Sequence, residues 1–322
     1  MGLIKFTNNT TTSEEFGKNP NDRNIEERLA SGFILLDKPT GPTSHQIAAW
    51  VRDELKMERL GHGGTLDPFA TGVLPLMAGK TMRLTHKVLT HDKTYIAVFK
   101  FSKDVEQDIV EEALTHLRGR IYNVPPEISA VKVQVRSRRI EKFDVLERNG
   151  KHMVAEIACE AGTYVRTLAR DLGLLIGQNV ELVELRRSAS GQFNLAHCVT
   201  LQQVADAIWR WREMGDDSAM MRIVHPVEHL VNDLPSIIIK DSAAAALSHG
   251  APLARPGIVA IDGGWTKGST MVAKTLKGEV VALVTLSVDA TKIKPMKEGE
   301  VAKPEIVLME ADTYPRLDFE PR

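Results

Sequence analysis

Gly61-His62-Gly63-Gly64-Thr65-Leu66-Asp67-Pro68 places three glycines, a histidine and an aspartate within eight residues. Glycine takes positive φ at little cost and lets another group approach the backbone closely. Pro68 disfavours a helical conformation for the residue before it. Asp67 is therefore expected on a stiff, irregular turn, a suitable place for a carboxylate that does chemistry on a scaffold. The competing assignment makes Asp67 a helix N-cap, with Pro68 at the first helical position.

Around this block the chain mixes helices and strands. Upstream, the apolar run Phe33 to Leu36 ends at Asp37-Lys38-Pro39 and reads as a strand entering a loop. Thr43 and Gln46 form a capping-box pattern, and Ile47, Val51 and Leu55 follow at helical spacing, so a helix is expected to about Lys56. Downstream, Gly72-Val73-Leu74-Pro75-Leu76 reads as a short strand, with the proline pointing to a sheet edge. Tyr95, Ala97, Phe99 and Phe101 alternate, as on one face of a strand. Asp104 is expected to cap a helix in a box with Gln107, with Ile109, Val110, Ala113, Leu114 and Leu117 as its apolar stripe and Gly119 ending it. Met153 to Glu160 reads as a strand, Val165 to Ile176 as a helix stopped by Gly177, Glu181 to Arg186 as a strand, and Thr200 to Met214 as a helix. Strict βαβ alternation is missing. The expected class is α+β, with a mixed, mostly antiparallel sheet.

After Leu234-Pro235 short β runs follow one another: Ser236 to Ile239, Gly257 to Ile261, Thr270 to Ala273 and Glu279 to Ser287, with one helix, Ala243 to His249. These are the marks of a small separate β-barrel. Three segments are expected: a polar, flexible N-terminal extension (residues 1–30) that could drape over a domain, a catalytic domain (31–232), and a β-barrel with its tail (233–322).

The formal net charge is −1 over 322 residues, so any nucleic-acid binding must come from local patches. Two cysteines, Cys159 and Cys198, are far apart. They argue against a disulfide framework or a thiolate zinc site and fit a reducing cytoplasm. No apolar run reaches membrane-spanning length, and Met1 to Ala30 has no signal-peptide core.

Several side chains have a plain and a functional reading. Arg166, near the start of its helix with Arg170 one turn on, either lies on a solvated basic face or turns inward to Asp67. An opposite charge favours the ionised form of a carboxylate, which a nucleophile needs. Tyr95 is either a core aromatic or a platform for a base taken out of its stack. Lys132, Arg136, Arg138, Arg139 and Lys142 put five positive charges into eleven residues. With Val131, Val133 and Val135 interleaved, they read as a strand leading into a basic loop, either solvated or contacting phosphates. His225 and His229 stand four apart with Pro226 between them and lack a zinc-site pattern, as do His86 and His91. No metal site is expected.

Five ordered blocks together resemble one family. They are Leu36 to His45, Gly61 to Pro68, Lys93-Thr94-Tyr95, Gly162 to Leu168, and Leu185-Arg186-Arg187 with Ser190 to Phe193. Their order and spacing resemble the TruB-type RNA pseudouridine synthases. His249 to Pro252 and Pro256 to Ile258 resemble a PUA domain, a small RNA-binding pseudobarrel. The Pro125 to Lys132 block running into Arg136 to Arg139, and the ending near Asp312 to Arg316, are most similar to the archaeal branch related to dyskerin, the catalytic subunit of H/ACA guide ribonucleoproteins.

The resemblance implies a role for each matched position. Asp67 would be the catalytic aspartate, Arg166 its ion-pair partner, and Tyr95 a stacking group that assists proton removal. His62 would help seat the flipped nucleotide and Leu185 would line the base pocket. Lys132, Arg136, Arg138 and Arg139 would contact RNA. Isomerisation of uridine to pseudouridine needs no cofactor. The implied partners are rRNA and tRNA substrates, an H/ACA guide RNA, and three small proteins: one zinc-ribbon-like, one barrel-like and one kink-turn-binding. No membrane partner is implied. Three alternatives stay open. A glycoside hydrolase would need a second carboxylate, for which Asp37 is the attractive choice. A guide-independent synthase would act on the tRNA T-loop. A non-catalytic RNA scaffold would keep the fold without the reaction.

Overall fold

A computed structural model describes residues 2–7, 11–125 and 134–316. The chain forms two compact units, neither of them continuous in sequence: residues 34–77 with 85–219, and residues 1–33 with 78–84 and 220–322.

The first unit is built on a mixed sheet. Across it the strands run in the order Ser31–Lys38, Thr71–Gly79, Val180–Ser190, Lys93–Phe101, His152–Cys159, Arg136–Asn149 and Gly119–Asn123. Most neighbours are antiparallel; Thr71–Gly79 and Val180–Ser190 pair in parallel through Thr71 with Arg186 and Gly72 with Arg187. The alternation in Lys93–Phe101 buries Tyr95, Ala97, Phe99 and Phe101 on one face, against helices Gln107–Leu117 and Val165–Ile176. Val165, Leu168, Ala169 and Leu172 supply the inward stripe of the second helix, and Gly177 closes it in the left-handed conformation. Thr43 and Thr200 each cap a helix through the expected box, with Gln46 and Gln203 reaching back to the cap backbone.

Some local expectations are corrected. Helix Gln107–Leu117 starts after Glu106, whose side chain makes no capping bond, so Asp104 is not its cap. Ile109 is exposed, and the buried stripe is Val110, Ala113, Leu114 and Leu117. Pro75 is buried inside the nine-residue strand Thr71–Gly79, which is not at the sheet edge. Its carbonyl still accepts a hydrogen bond, from Gly63 N–H at 2.8 Å. The basic residues Arg136, Arg138, Arg139 and Lys142 lie within strand Arg136–Asn149 instead of in a loop, while Lys132 lies outside the described residues.

In the second unit the sheet order is Leu3–Lys5, Ile258–Asp262, Ser236–Ile239, Thr270–Lys274, Val280–Leu286, Glu300–Val307 and Leu253–Ala254. Helix Asp241–Ser248 lays Ala244, Ala245 and Leu247 into its core. The described N-terminal residues belong to this unit as structure, not as a flexible tail. Leu3–Lys5 adds an antiparallel strand to Ile258–Asp262, and Ile4, Phe6 and Phe16 pack on the core. These scattered apolar side chains are too few to read as a strand in a polar run, but an existing sheet edge supplies their partners. Arg23 then forms a two-pronged bond to the buried Glu228 at 3.0 and 2.9 Å. Tyr314 O–H donates to Glu279 at 2.6 Å.

Candidate active site

Asp67 sits on a turn between strands Leu60–His62 and Thr71–Gly79, and its carbonyl accepts a hydrogen bond from Ala70 N–H at 3.1 Å. It caps no helix. The turn is held from below by groups that the preceding segment supplies. Lys38 is 0% exposed and donates its ammonium to the carbonyls of Pro39 (2.8 Å), Pro68 (3.1 Å) and Ala70 (2.8 Å). Burial pushes the Lys38 amine below its ordinary range, and the Asp67 charge opposes that shift. The buried Ser44 hydroxyl accepts from Leu66 N–H at 2.9 Å and donates to Leu66 C=O at 3.3 Å. Gly41 N–H donates to the Pro68 carbonyl at 2.8 Å. Gly64, at φ +134°, makes the bend into Thr65 that only glycine adopts without strain.

The Arg166 guanidinium donates to Asp67 Oδ1 at 2.9 Å, and each of the two side chains is 32% exposed. Such a half-exposed pair contributes little to stability. Its effect is to fix the direction of a carboxylate that stays partly accessible. Arg170, one turn on, pairs instead with its neighbour Asp171 at 2.8 Å. Arg166 reaches Asp67 because it stands in the first turn of helix Val165–Ile176, whose apolar stripe anchors it to the sheet.

Leu66 and Ala70, on either side of Asp67, and Val165, next to Arg166, belong to one buried apolar cluster with Tyr95 and Leu185. Tyr95 is 9% exposed, a largely buried aromatic with a small accessible part. Burial pushes its phenol up, and the nearby Arg187 charge counters this. His62 is half-buried, its ring edge-on to His45 with centroids 4.5 Å apart, and its Nδ1 has no hydrogen-bond partner. Burial lowers its pKa to about 4, with the His45 and Arg187 charges adding to the effect, so the ring is neutral at pH 7. Lys38, Arg166 and Arg187 give the site a positive character around a single aspartate, which suits an anionic polymer. Asp37, the alternative second carboxylate, is held by Arg186 at 2.7 Å. Among the described residues, no cluster could hold a metal ion.

In the basic strand, Arg138 lies 3.9 Å from Glu160, Arg139 lies 3.3 Å from Glu141, and Lys142 bonds Glu156. Arg136 and Arg139 are exposed. Lys38, Ser44 and Arg187 carry polar functions that sequence reasoning did not assign. One signal was available: Arg186 and Arg187 are adjacent on a strand, so they point to opposite faces and one must turn inward.

The chain matches models of the TruB family pseudouridylate synthase N-terminal domain over residues 52–165, the tRNA pseudouridylate synthase B C-terminal domain over 166–232 and the PUA domain over 235–308. A DKCLD (NUC011) domain model matches residues 4–48, a domain that the sequence reading took for an extension and the start of the catalytic domain. A probable tRNA pseudouridine synthase B of Pyrobaculum calidifontis is 42% identical, over 95% of this chain and 92% of that protein. The corresponding protein of Methanothermobacter thermautotrophicus is 42% identical over 95% of each chain. Among solved structures, a chain of a Cbf5-Nop10-Gar1 complex superposes with TM-score 0.89 at 37% identity, covering 98% of this chain and 96% of that one. An H/ACA RNP bound to a substrate RNA containing 2'-deoxyuridine gives TM-score 0.89 at 35% identity, with coverage of 98% and 96%. Identity of this level along nearly the whole length leaves one conclusion: the chain belongs to the TruB family of pseudouridine synthases, RNA isomerases with a C-terminal PUA domain.

Proposed function

We infer that this synthase converts uridines in rRNA selected by an H/ACA guide RNA, with Asp67 as the attacking or charge-stabilising carboxylate. The observation that carries the chemistry is the ion pair of Asp67 with Arg166 at 2.9 Å, whose neighbours Leu66 and Val165 belong to the buried cluster that includes Tyr95 and Leu185. Uridine enters flipped out of its strand, at an unstacking cost of a few kcal/mol. Asp67 acts at the sugar as the N1–C1′ bond breaks. The detached uracil, retained by Leu185 and Tyr95, rotates and bonds to C1′ through C5. C5 loses a proton and N1 gains one, so the product is an isomer and no redox partner is consumed. Water must be kept out, because it would intercept the sugar. His62, neutral at pH 7, seats the nucleotide without adding charge. Arg136, Arg138 and Arg139 contact phosphates of the RNA.

The guide-dependent assignment is supported by likeness to Cbf5 in complexes with Nop10 and Gar1 and in an RNA-bound H/ACA particle. On that ground the partners are a guide RNA and small accessory proteins, and the working compartment is the cytoplasm. A second reading, action on the tRNA T-loop without a guide, is favoured by the names of the sequence relatives, probable tRNA pseudouridine synthases B. Assaying pseudouridine in two substrates separates the readings. Product in an rRNA fragment only with the guide and accessory proteins supports the first reading. Product in a tRNA from the isolated chain supports the second.

A further inference from the structure

Asn123 ends the edge strand Gly119–Asn123 and is 1% exposed. A buried amide is costly unless its donor and its acceptor are both used. Here both go to one residue. Tyr164 N–H donates to Asn123 Oδ1 at 2.8 Å, and Asn123 Nδ2 donates to the Tyr164 carbonyl at 3.3 Å. A side chain 41 positions away thus clasps both polar groups of the Tyr164 backbone. Thr167, 3% exposed, adds a second tie: its hydroxyl donates to the Val124 carbonyl at 2.6 Å. Arg166 lies between Tyr164 and Thr167, so the chain on both sides of it is bonded to residues 123 and 124.

Other helices of the chain secure their first turns locally. Ile25–Ala30, Ser44–Glu54 and Leu201–Met214 use their own cap side chains, Asn24, Thr43 and Thr200. Helix Val165–Ile176 starts after Tyr164, which makes no side-chain capping bond. A local cap satisfies the first turn wherever the helix lies. A clasp from a strand of the sheet also fixes where that turn stands, and Arg166 projects from this turn to Asp67 at 2.9 Å. An arginine side chain has much rotamer freedom, so its root must be held if the carboxylate is to keep one direction. We propose that Asn123 is a positioning residue for the isomerisation: it anchors the first turn of the Arg166 helix to the sheet and thereby sets the aim of Asp67. Thr167 supports the same anchor through Val124. The anchor lies beside the strand assigned above to RNA phosphates, since register sets Asn123 opposite Arg136.

The proposal rests on the reading of Asp67 and Arg166 as the reactive pair, and the test keeps the two apart. Single-turnover pseudouridine formation at saturating enzyme would be measured for the wild type, Asn123→Ala, Arg166→Lys and the double variant, on the RNA that the wild type converts, with RNA affinity measured in parallel. Asn123→Ala should slow turnover by about 10- to 100-fold, the range for a misplacement of about 1 Å, with RNA affinity within about twofold of wild type. Combined with Arg166→Lys it should add less than about threefold, because the aim it serves is already lost. A purely structural role would slow turnover by the same factor in both backgrounds, or lower the Tm and leave turnover unchanged, and either result would overturn the proposal. Arg166→Lys as fast as the wild type would overturn the reading of the pair itself. Should Asn123→Ala lose its fold by circular dichroism, Thr167→Val takes its place, since it removes only the bond to Val124. It should slow turnover with affinity unchanged and lose that effect when combined with Arg166→Lys, and equal factors in the two backgrounds would contradict the proposal.

Discussion

A few buried polar atoms set the position of the reactive carboxylate. Asp67 itself is half-exposed, yet the turn that carries it hangs on the Lys38 ammonium and the Ser44 hydroxyl. Arg166 then aims it. Lysine cannot reproduce a guanidinium's fixed geometry. Arg166→Lys should therefore lower the single-turnover rate by roughly 10²-fold, the usual loss for one misplaced charge-stabilising donor, with RNA affinity within about twofold of wild type by filter binding. His62 allows a test by pH. Its folded pKa is about 4 against 6.5 in the unfolded chain, so below pH 6.5 the unfolded chain binds the proton first. Stability is then lost as pH falls from 6.5 toward 4, by up to about 3 kcal/mol. Urea titrations at pH 7 and pH 4.5 should show this loss in the wild type and a smaller one in His62→Gln.

At the level of elements, the strand Thr71–Gly79 meets Val180–Ser190 at a point where only glycine fits. Gly72 has φ +106°, and a Cβ there would stand 2.2 Å from the Arg187 carbonyl oxygen and 2.8 Å from its nitrogen. Gly72→Ala should cost at least about 2 kcal/mol, read as a lowered Tm and as lost activity at temperatures where the wild type is folded. What could be read from sequence follows from range. The boxes Thr43–Gln46 and Thr200–Gln203 are complete within four residues and were legible. So was the Tyr95 to Phe101 face, because alternation is local. Asp104 met the same pattern and failed, since the helix starts at Gln107 and leaves it outside. Pro75 was misplaced because a buried carbonyl can serve a strand whose N–H is missing. Lys38 and Arg187 could not be read as buried, because charged side chains are almost never fully buried unless paired, and most of their partners are carbonyls distant in sequence. The Asp67–Arg166 pair spans 99 positions, so residue types suggested it and only the fold could form it.

At the scale of the molecule, the unit bearing the PUA match is assembled from both ends of the chain. The N-terminal strand Leu3–Lys5 and Arg23 are parts of it, so cutting at Pro235 would not remove an intact module. Arg23→Ala would leave the buried Glu228 carboxylate without its cation, at a cost of about 3–5 kcal/mol. Differential scanning calorimetry should show a lower first transition, and an unchanged thermogram would mean that the N-terminal clasp contributes nothing. The central claim is that Asp67, aimed by Arg166, isomerises uridine. Tritium release from [5-3H]uridine in a guide-selected rRNA fragment tests it most directly, comparing the assembled wild type with Asp67→Ala at matched RNA occupancy. The expected result is one equivalent of tritium released by the wild type and none above background by the variant. Equal release by both would contradict the account.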